Sequence, residues 1–517
     1  MAKNVDIEAA RGYHEETKHS PAGIRSALHQ LDWANKPALF KRYKDLPYYP
    51  LPTDFAPPAM ATLRTISSAG EGATLDLVTL AQILYFAAGI TKEAQGPDGS
   101  THHFRAAACA GALYPIEVYV ACRALDGLPP GVYHLAPREL ALTQLRAGDF
   151  RSPLAEATGE GGGASPATVV LTAIFWRSAW KYKARSYRYC FWDSGTILAN
   201  LLAAATSAGL SARLVTGFVD TEVDRLLGLD GDREGSLCLV PLGPLEERPA
   251  APRDAPVLDL ATPPLSREEV DYPQIRRMHR ASYLDSPGSV RAWRGALRRG
   301  AATAGERTYP LSVRETEGRP LGEVILGRGS TRHFRRTPIA LEELSSILYY
   351  ATQGWEADFL EGPDTRLVDL YLLANEVEGL PGGSYYFAGS RGHLELLREG
   401  EFRPWAGFLG LEQALPADAS AVVFFLADLQ RVLGRFGNRG YRIAQLEAGI
   451  LGGRMYLAAY ALGLGATGLT FYDDEIVDFF SPHAAGKDAI FMVALGRAVK
   501  IRSPVRPVPV PFRERDE

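Results

Sequence analysis

The run L-G-R-G-S-T-R-H-F at 326–334 spaces Arg328, Ser330 and Arg332 two residues apart. Two guanidinium forks and a hydroxyl suit an anion, because arginine pairs phosphate oxygens bidentately. The run is also read as the start of a helix, whose free N–H groups would add to the field. An arginine-rich surface turn has the same composition, so the run alone carries little weight. A second stretch, F-R-A-A-A-C-A-G-A-L-Y-P at 104–115, is made of small residues ahead of an extended segment. Small residues let backbone approach a flat ligand closely, and they equally suit a tight, buried strand start. In a third, F-W-R-S-A-W-K-Y at 175–182, Lys181 and Tyr182 stand together among aromatics. A lysine in such surroundings has a lowered pKa, and either side chain can serve as general base or acid. The bland alternative is a surface lysine whose stem covers apolar groups while its ammonium stays in water.

These stretches occupy different places in an internal repeat. G-L-P-P-G-V-Y-H-L (127–135) matches G-L-P-G-G-S-Y-Y-F (379–387), and Q-L-R-A-G-D-F-R (144–151) matches L-L-R-E-G-E-F-R (396–403). Upstream, L-A-Q-I-L-Y-F-A-A (80–88) matches L-S-S-I-L-Y-Y-A-T (344–352), and downstream 185–198 matches 439–452. Four matches in one order, at slowly drifting offsets, mean a duplicated domain. The division is an arm at 1–70, a first domain at 71–245, a proline-rich linker and basic segment at 246–319, a second domain at 320–503 and a tail at 504–517. The basic segment, R-A-W-R-G-A-L-R-R-G-A-A-T-A-G-E-R, reads as a solvated helix or loop. The copies have lost complementary parts. Where the second has its Arg-Ser-Arg run, the first reads R-T-I-S-S at 64–68, keeping only Arg64. Where the first has its small-residue loop, the second reads E-G-P-D-T-R at 361–366. Arg435-Phe436 replaces Lys181-Tyr182. One site built by both copies follows.

Each copy alternates helical and strand patterns, an α+β layout with a mixed or antiparallel sheet. The segments around 195–209 and 449–464 are apolar nearly all round, so both predict buried helices that pack against each other.

The bulk composition bounds the rest. The chain has 517 residues, 46% hydrophobic and 22% charged, with formal net charge −4. That gives no electrostatic reason to expect nucleic acid or an anionic membrane. No apolar run is long enough to span a bilayer, and the charged N-terminus does not read as a secretory signal. Four cysteines without a C-x-x-C pair read as cytoplasmic thiols, and ten scattered histidines, including His102-His103, predict no metal.

The S-T-R-H-F run, the A-G-A-L-Y-P loop, the A-L-G-L-G-A-T-G-L-T-F-Y-D-D-E-I segment (461–476) and the closing V-A-L-G (493–496) together resemble the FMN-dependent nitroreductase fold. More narrowly, the loop followed by Ile-Glu, G-L-P-P-G-V-Y-H-L and the Lys-Tyr pair resemble the SagB/ThcOx-type peptide dehydrogenases, from about Tyr13 to Arg497. The resemblance implies two fused nitroreductase-like domains forming an intramolecular pseudo-dimer with FMN in the interface. It implies that Arg328, Ser330 and Arg332 hold the phosphate, with Arg497 in reach, and that Gly468, Leu469 and Thr470 form a turn near flavin N5. Cys109, Ala110, Gly111, Ala112 and Leu113 would come from the other copy. The family has Ser and Pro where this chain has Cys109 and Ala108, so the usual hydroxyl contact is missing. A second site would need a clamp around Arg64 and a loop around Pro363, both eroded, which gives one FMN per chain. The activity implied is oxidation of thiazoline or oxazoline rings of a ribosomal peptide to thiazoles or oxazoles, with Lys181 or Tyr182 removing the ring Cα proton. The partners implied are the modified precursor peptide and a cyclodehydratase, and further homo-oligomerisation is compatible with it. The rivals are an NAD(P)H-dependent nitro or quinone reductase and a non-catalytic peptide- or partner-docking module.

Overall fold

The two apolar helices are Ser186–Ser207 and Arg439–Ala461, and they cross at the centre of the molecule. Glycine makes the crossing close. A Cβ on Gly195 would lie 2.3 Å from the Gly449 carbonyl carbon, and one on Gly453 would lie 2.9 Å from Thr196 Cα. The computed structural model describes residues 4–26, 30–96, 99–250, 256–298, 307–314, 318–362, 365–499 and 506–507. Pro363, residues 299–306 of the basic segment and most of the tail lie outside the described residues.

Each copy lays one antiparallel sheet against this helix pair. The first runs, in spatial order, Tyr48–Pro50, Ala141–Ala147, Gly131–Ala136, Ile116–Cys122, Ala167–Ile174, Glu234–Leu242. The second runs Thr308–Pro310, His393–Glu399, Gly383–Ala388, Val368–Ala374, Ala421–Ala427, Asp488–Ala498, with Phe334–Arg335 at its far edge. The six strands correspond one for one, so the tandem fold expected from the sequence is present. The outer strand of each sheet comes from the arm or the linker, upstream of where the domains were expected to begin. The linker also carries two helices, Pro273–Ala281 and Pro287–Trp293. The second reaches into the basic segment, which is not simply solvated: Trp293 is buried and donates its indole N–H to Phe436 O at 3.0 Å.

Two buried ion triads brace the copies. Asp220 of the first copy accepts from Arg439 at 2.7 Å and Arg442 at 2.9 Å, both on the second copy's central helix. Asp473 of the second accepts from Arg185 at 2.8 Å and Arg188 at 2.6 Å, at the start of the first copy's central helix. Among the described residues no helix is long and apolar enough to cross a membrane.

Candidate active site between the two copies

The small-residue loop of the first copy turns sharply before strand Ile116–Cys122. Gly111 has φ +64°, and Ala112 and Tyr114 also adopt positive φ, a costly conformation for residues with a side chain. The turn leaves no room at Gly111: a Cβ there would stand 2.8 Å from Tyr182 Oη and 3.3 Å from Lys181 Nζ. The structure therefore lays the Lys-Tyr pair, at the end of helix Phe175–Tyr182, directly on the loop.

Asp193, on the first central helix, holds the loop. Its carboxylate accepts Ala110 N–H at 2.9 Å and the Cys109 thiol at 3.1 Å, while Tyr114 N–H donates to Cys109 Sγ at 3.1 Å. Burial pushes the Asp193 carboxyl up to about 7, against the two donors that pull it down. Burial and the adjacent Asp193 also raise the Cys109 thiol well above its ordinary value. Cys109 is thus a neutral S–H donor and not a nucleophile. Sequence reasoning passed over Asp193, although the repeat contained the signal. Its counterpart Glu447 accepts Leu367 N–H at 2.7 Å and Val368 N–H at 3.2 Å, at the same strand start in the second copy.

The second copy's run meets the loop from the other side. Arg328 is buried and donates through Nε to Ala106 O at 2.6 Å and through Nη2 to Arg105 O at 3.3 Å. Lys92 of the first copy returns the contact by donating to Gly327 O at 3.1 Å. The expected helix start at this run is not found. Arg328 caps the C-terminal end of helix Leu321–Gly327, and the chain then stays irregular up to strand Phe334–Arg335. Glycines on both sides of Arg328 stop the helix, so no N-terminal N–H groups point here. The expected Arg64 counterpart also fails: Arg64 is exposed inside helix Thr62–Ser67, and the residue capping that helix is Ser68.

Two hydrogen-bonded chains tie the remaining residues in. Ser330 Oγ lies 3.3 Å from Tyr456 Oη, which accepts Gly468 N–H at 2.6 Å. Tyr189 Oη donates to Thr470 Oγ1 at 3.2 Å, and the Tyr189 ring stands edge-on 4.6 Å from Tyr182. Leu469 follows Gly468 in strand Gly465–Leu469. Arg497 stands apart: it pairs with Glu343 at 3.0 Å. Lys181 has its pKa lowered, first by burial and then by the charges of Arg332 and Lys36, whereas burial raises Tyr182. The two shifts run in opposite senses: the ammonium of Lys181 gives up its proton more easily than usual and the Tyr182 hydroxyl holds its proton more firmly.

At the pseudo-symmetric position the chain's own segment lies on the matching turn, beside a cavity of about 410 Å³ lined by Arg213, Trp355, Asp358 and Glu361. After helix Leu341–Ala351 the second copy lies on the backbone of Ser67, where a Cβ on Gly354 would stand 2.1 Å from its carbonyl carbon. Asp358 then accepts Thr216 N–H at 3.0 Å, Thr216 Oγ1 at 2.8 Å and Gly217 N–H at 2.6 Å, on the turn that corresponds to Thr470 and Phe471.

The donor set around Lys181, Ser330 and Arg332 fits a flavin mononucleotide. Lys181 and Arg332 have no carboxylate partner among the described residues, Ser330 supplies a hydroxyl, and the left-handed glycine turn leaves bare backbone for a flat ring. Elsewhere His14, Glu15 and Asp488 bring ligand-type atoms within 4.8 Å of one another, but Glu15 is paired with Lys18 at 2.7 Å.

Residues 71–244 and 325–497 each match the nitroreductase family. A nitroreductase-family protein of Methanocaldococcus jannaschii is 30% identical over 175 residues, which are 33% of this chain and 88% of that protein. The microcin B17-processing protein McbC of Escherichia coli is 30% identical over 128 residues, 23% of this chain and 47% of McbC. A solved nitroreductase-family structure from Anabaena variabilis superimposes with a TM-score of 0.75 at 26% identity, covering 96% of this chain and 100% of that one.

Proposed function

This chain belongs to the nitroreductase family of oxidoreductases, in two tandem copies, and from that premise we propose that it is an FMN-dependent peptide dehydrogenase of the SagB/ThcOx type. It would oxidise thiazoline or oxazoline rings of a ribosomally made peptide to thiazoles or oxazoles. The observation that carries the reading is Lys181 and Tyr182 of the first copy resting on Gly111, with the field of Arg332 from the second copy reaching Lys181. The similarity to a microcin B17-processing protein supports a peptide substrate, and a cyclodehydratase partner belongs to the same proposal.

FMN, when bound, supplies the two-electron acceptor. This chain's residues do the rest. Ser330 and Arg332 would hold the phosphate end, while Arg328 fixes the Arg105–Ala106 backbone through its hydrogen bonds. Asp193 fixes the Cys109–Leu113 loop beside the ring. Lys181 Nζ, its proton loosened by burial and two neighbouring cations, takes the azoline Cα proton, while the Tyr182 hydroxyl orients the substrate. The Asp358 contacts on the Thr216–Gly217 turn, and the absence of an Arg-Ser-Arg run in the first copy, support one FMN per chain.

The visible spectrum of the purified protein tests the cofactor, with an expected ratio of one FMN per chain. Lys181→Ala should keep the flavin and slow oxidation of a thiazoline peptide about a hundredfold or more; unchanged turnover refutes its role. Arg328→Ala should lose flavin and Arg64→Ala should keep it. Rapid anaerobic bleaching by NADPH, with no bleaching by thiazoline peptide, favours the general reductase instead.

A further inference from the structure

The rim of the site beside Lys181 is built by the N-terminal arm, from which the chemistry above uses only the charge of Lys36. The turn Asp32–Lys36 is pinned from several directions. The Asp32 carboxylate accepts Ala34 N–H at 3.1 Å, Trp180 Nε1 donates to Asp32 O at 2.9 Å, and Asn35 exchanges hydrogen bonds of 2.9 and 3.0 Å with the Glu268 backbone. What this fixed turn presents to solvent is Trp33, 67% exposed, edge-on to Trp180 at 5.3 Å. Lys36 Nζ sits 5.8 Å from the Trp33 ring centroid. Trp180 precedes Lys181, so the exposed indole and the general base belong to one rim.

An indole held rigid in water offers a large contact area at small entropic cost, which is why recognition surfaces use it. The charges make the rim more specific. The fields of Lys36 and Arg332 both reach Lys181, and none of the three cations has a carboxylate partner among the described residues. Cations elsewhere in the chain are paired, such as Arg336 with Asp418 at 2.7 Å and Lys18 with Asp474 at 2.8 Å. The chain as a whole is negative, at −4. FMN accounts for Arg332, but Lys36 belongs to the arm and has no such partner.

We propose that this rim binds an acidic segment of the peptide next to the ring to be oxidised, with Trp33 packing on the peptide chain and Lys36 pairing with a substrate carboxylate. The inference rests on the peptide-dehydrogenase reading and names the sequence character of its substrate. Charge complementarity at a rim changes partner choice and salt dependence more than total affinity, so a comparison of matched ligands reads it directly.

The test uses the flavin-loaded full chain and two fluorescein-labelled peptides that already contain an aromatic thiazole, so that no turnover occurs. They differ only in two residues beside the ring, Glu-Glu or Lys-Lys, and binding is read by fluorescence anisotropy. The acidic peptide should bind about tenfold tighter at low salt, and the gap should shrink to about twofold as added salt shortens screening to about 3 Å. Lys36→Glu should invert the preference, and Trp33→Ala should weaken both peptides while leaving the preference in place. Equal binding of the two peptides, binding of neither, or a preference unchanged in Lys36→Glu overturns the inference. Thiazoline versions of the same pair separate it from the reading beneath. Acidic preference without oxidation of either peptide refutes the dehydrogenase and leaves the rim standing. Oxidation of both at equal kcat/KM refutes the rim and leaves the dehydrogenase.

Discussion

Replacing Asp473 by alanine removes the carboxylate shared by Arg185 and Arg188, whose side chains are 4% and 0% exposed. Two guanidinium groups are left in the interface without counter-charge. Breaking a buried pair in this way costs about 3–5 kcal/mol, against about 0–1 kcal/mol for an exposed pair. Asp220→Ala should cost the same, because Arg439 and Arg442 are equally buried, at 0% and 2% exposed. The two variants should differ in flavin. The Asp473 carboxylate also accepts His19 N–H at 2.8 Å, and the residue follows the Gly468–Thr470 turn closely, so Asp473→Ala loosens the Lys181 site together with the arm. Asp220 follows the turn that Asp358 fills. Denaturant titration with parallel ultrafiltration to measure retained FMN reads both quantities. Equal flavin loss in the two variants refutes the assignment of a single working site. A cost below about 1 kcal/mol in both refutes the braces. Acid supplies a second arm. Arg185 and Arg188 hold the Asp473 carboxyl well below the usual carboxylate range, so its stabilisation is complete above the ordinary value of about 4 and is lost as pH falls below it. Below about pH 4 the parent chain should therefore lose stability more steeply than Asp473→Ala.

Gly449→Ala should destabilise by about 1–3 kcal/mol, since its methyl would meet Trp192 Cα at 2.7 Å and Phe191 O at 2.9 Å, both backbone of the opposing helix. Gly434→Ala, in helix Leu429–Phe436 with nothing within 4 Å, should gain up to about 1 kcal/mol, and thermal melting compares the two. Burial raises the Asp193 carboxyl to about 7, so its protonated form is the one the fold prefers. Its contribution is complete below about pH 4 and is lost as pH rises toward 7, by at most about 4 kcal/mol. Asp193→Asn should therefore gain on the parent chain between pH 5 and pH 8 in denaturant midpoints, to be compared at about those two values, and parallel profiles would refute the shift.

The duplication, the two central helices and the strand runs were legible because each rests on many residues whose pattern is set by burial. Three kinds of feature were not. The outer strands Tyr48–Pro50 and Thr308–Pro310 are three residues each, too short for alternation to show. Arg328 was read as a helix start because arginine and serine fit one, whereas its flanking glycines end the helix before it. Arg185, Arg188, Arg439 and Arg442 sit inside the matched repeat, yet a charged residue on a helix reads as solvated until its buried partner is known. Those partners, Asp473 and Asp220, lie at matching places in the repeat, so comparing the acids of the two copies would have exposed the braces.

The asymmetry of the sites follows from what the interface depends on. At its centre lie the glycine crossing and the two ion triads, and both triads are intact. No loop that faces the ligand takes part in either. A change in a ligand-facing loop of one copy therefore leaves the interface standing, and the segment after helix Leu341–Ala351 could be replaced by one that packs on Ser67 and ties Asp358 to Thr216 and Gly217. That replacement satisfies backbone N–H groups that a vacant pocket would leave bare in a buried place. The Thr216 and Gly217 N–H groups are thus satisfied by Asp358 of the chain itself. Lys181 and Arg332 have no carboxylate partner among the described residues, which leaves both free to pair with an anion supplied from outside.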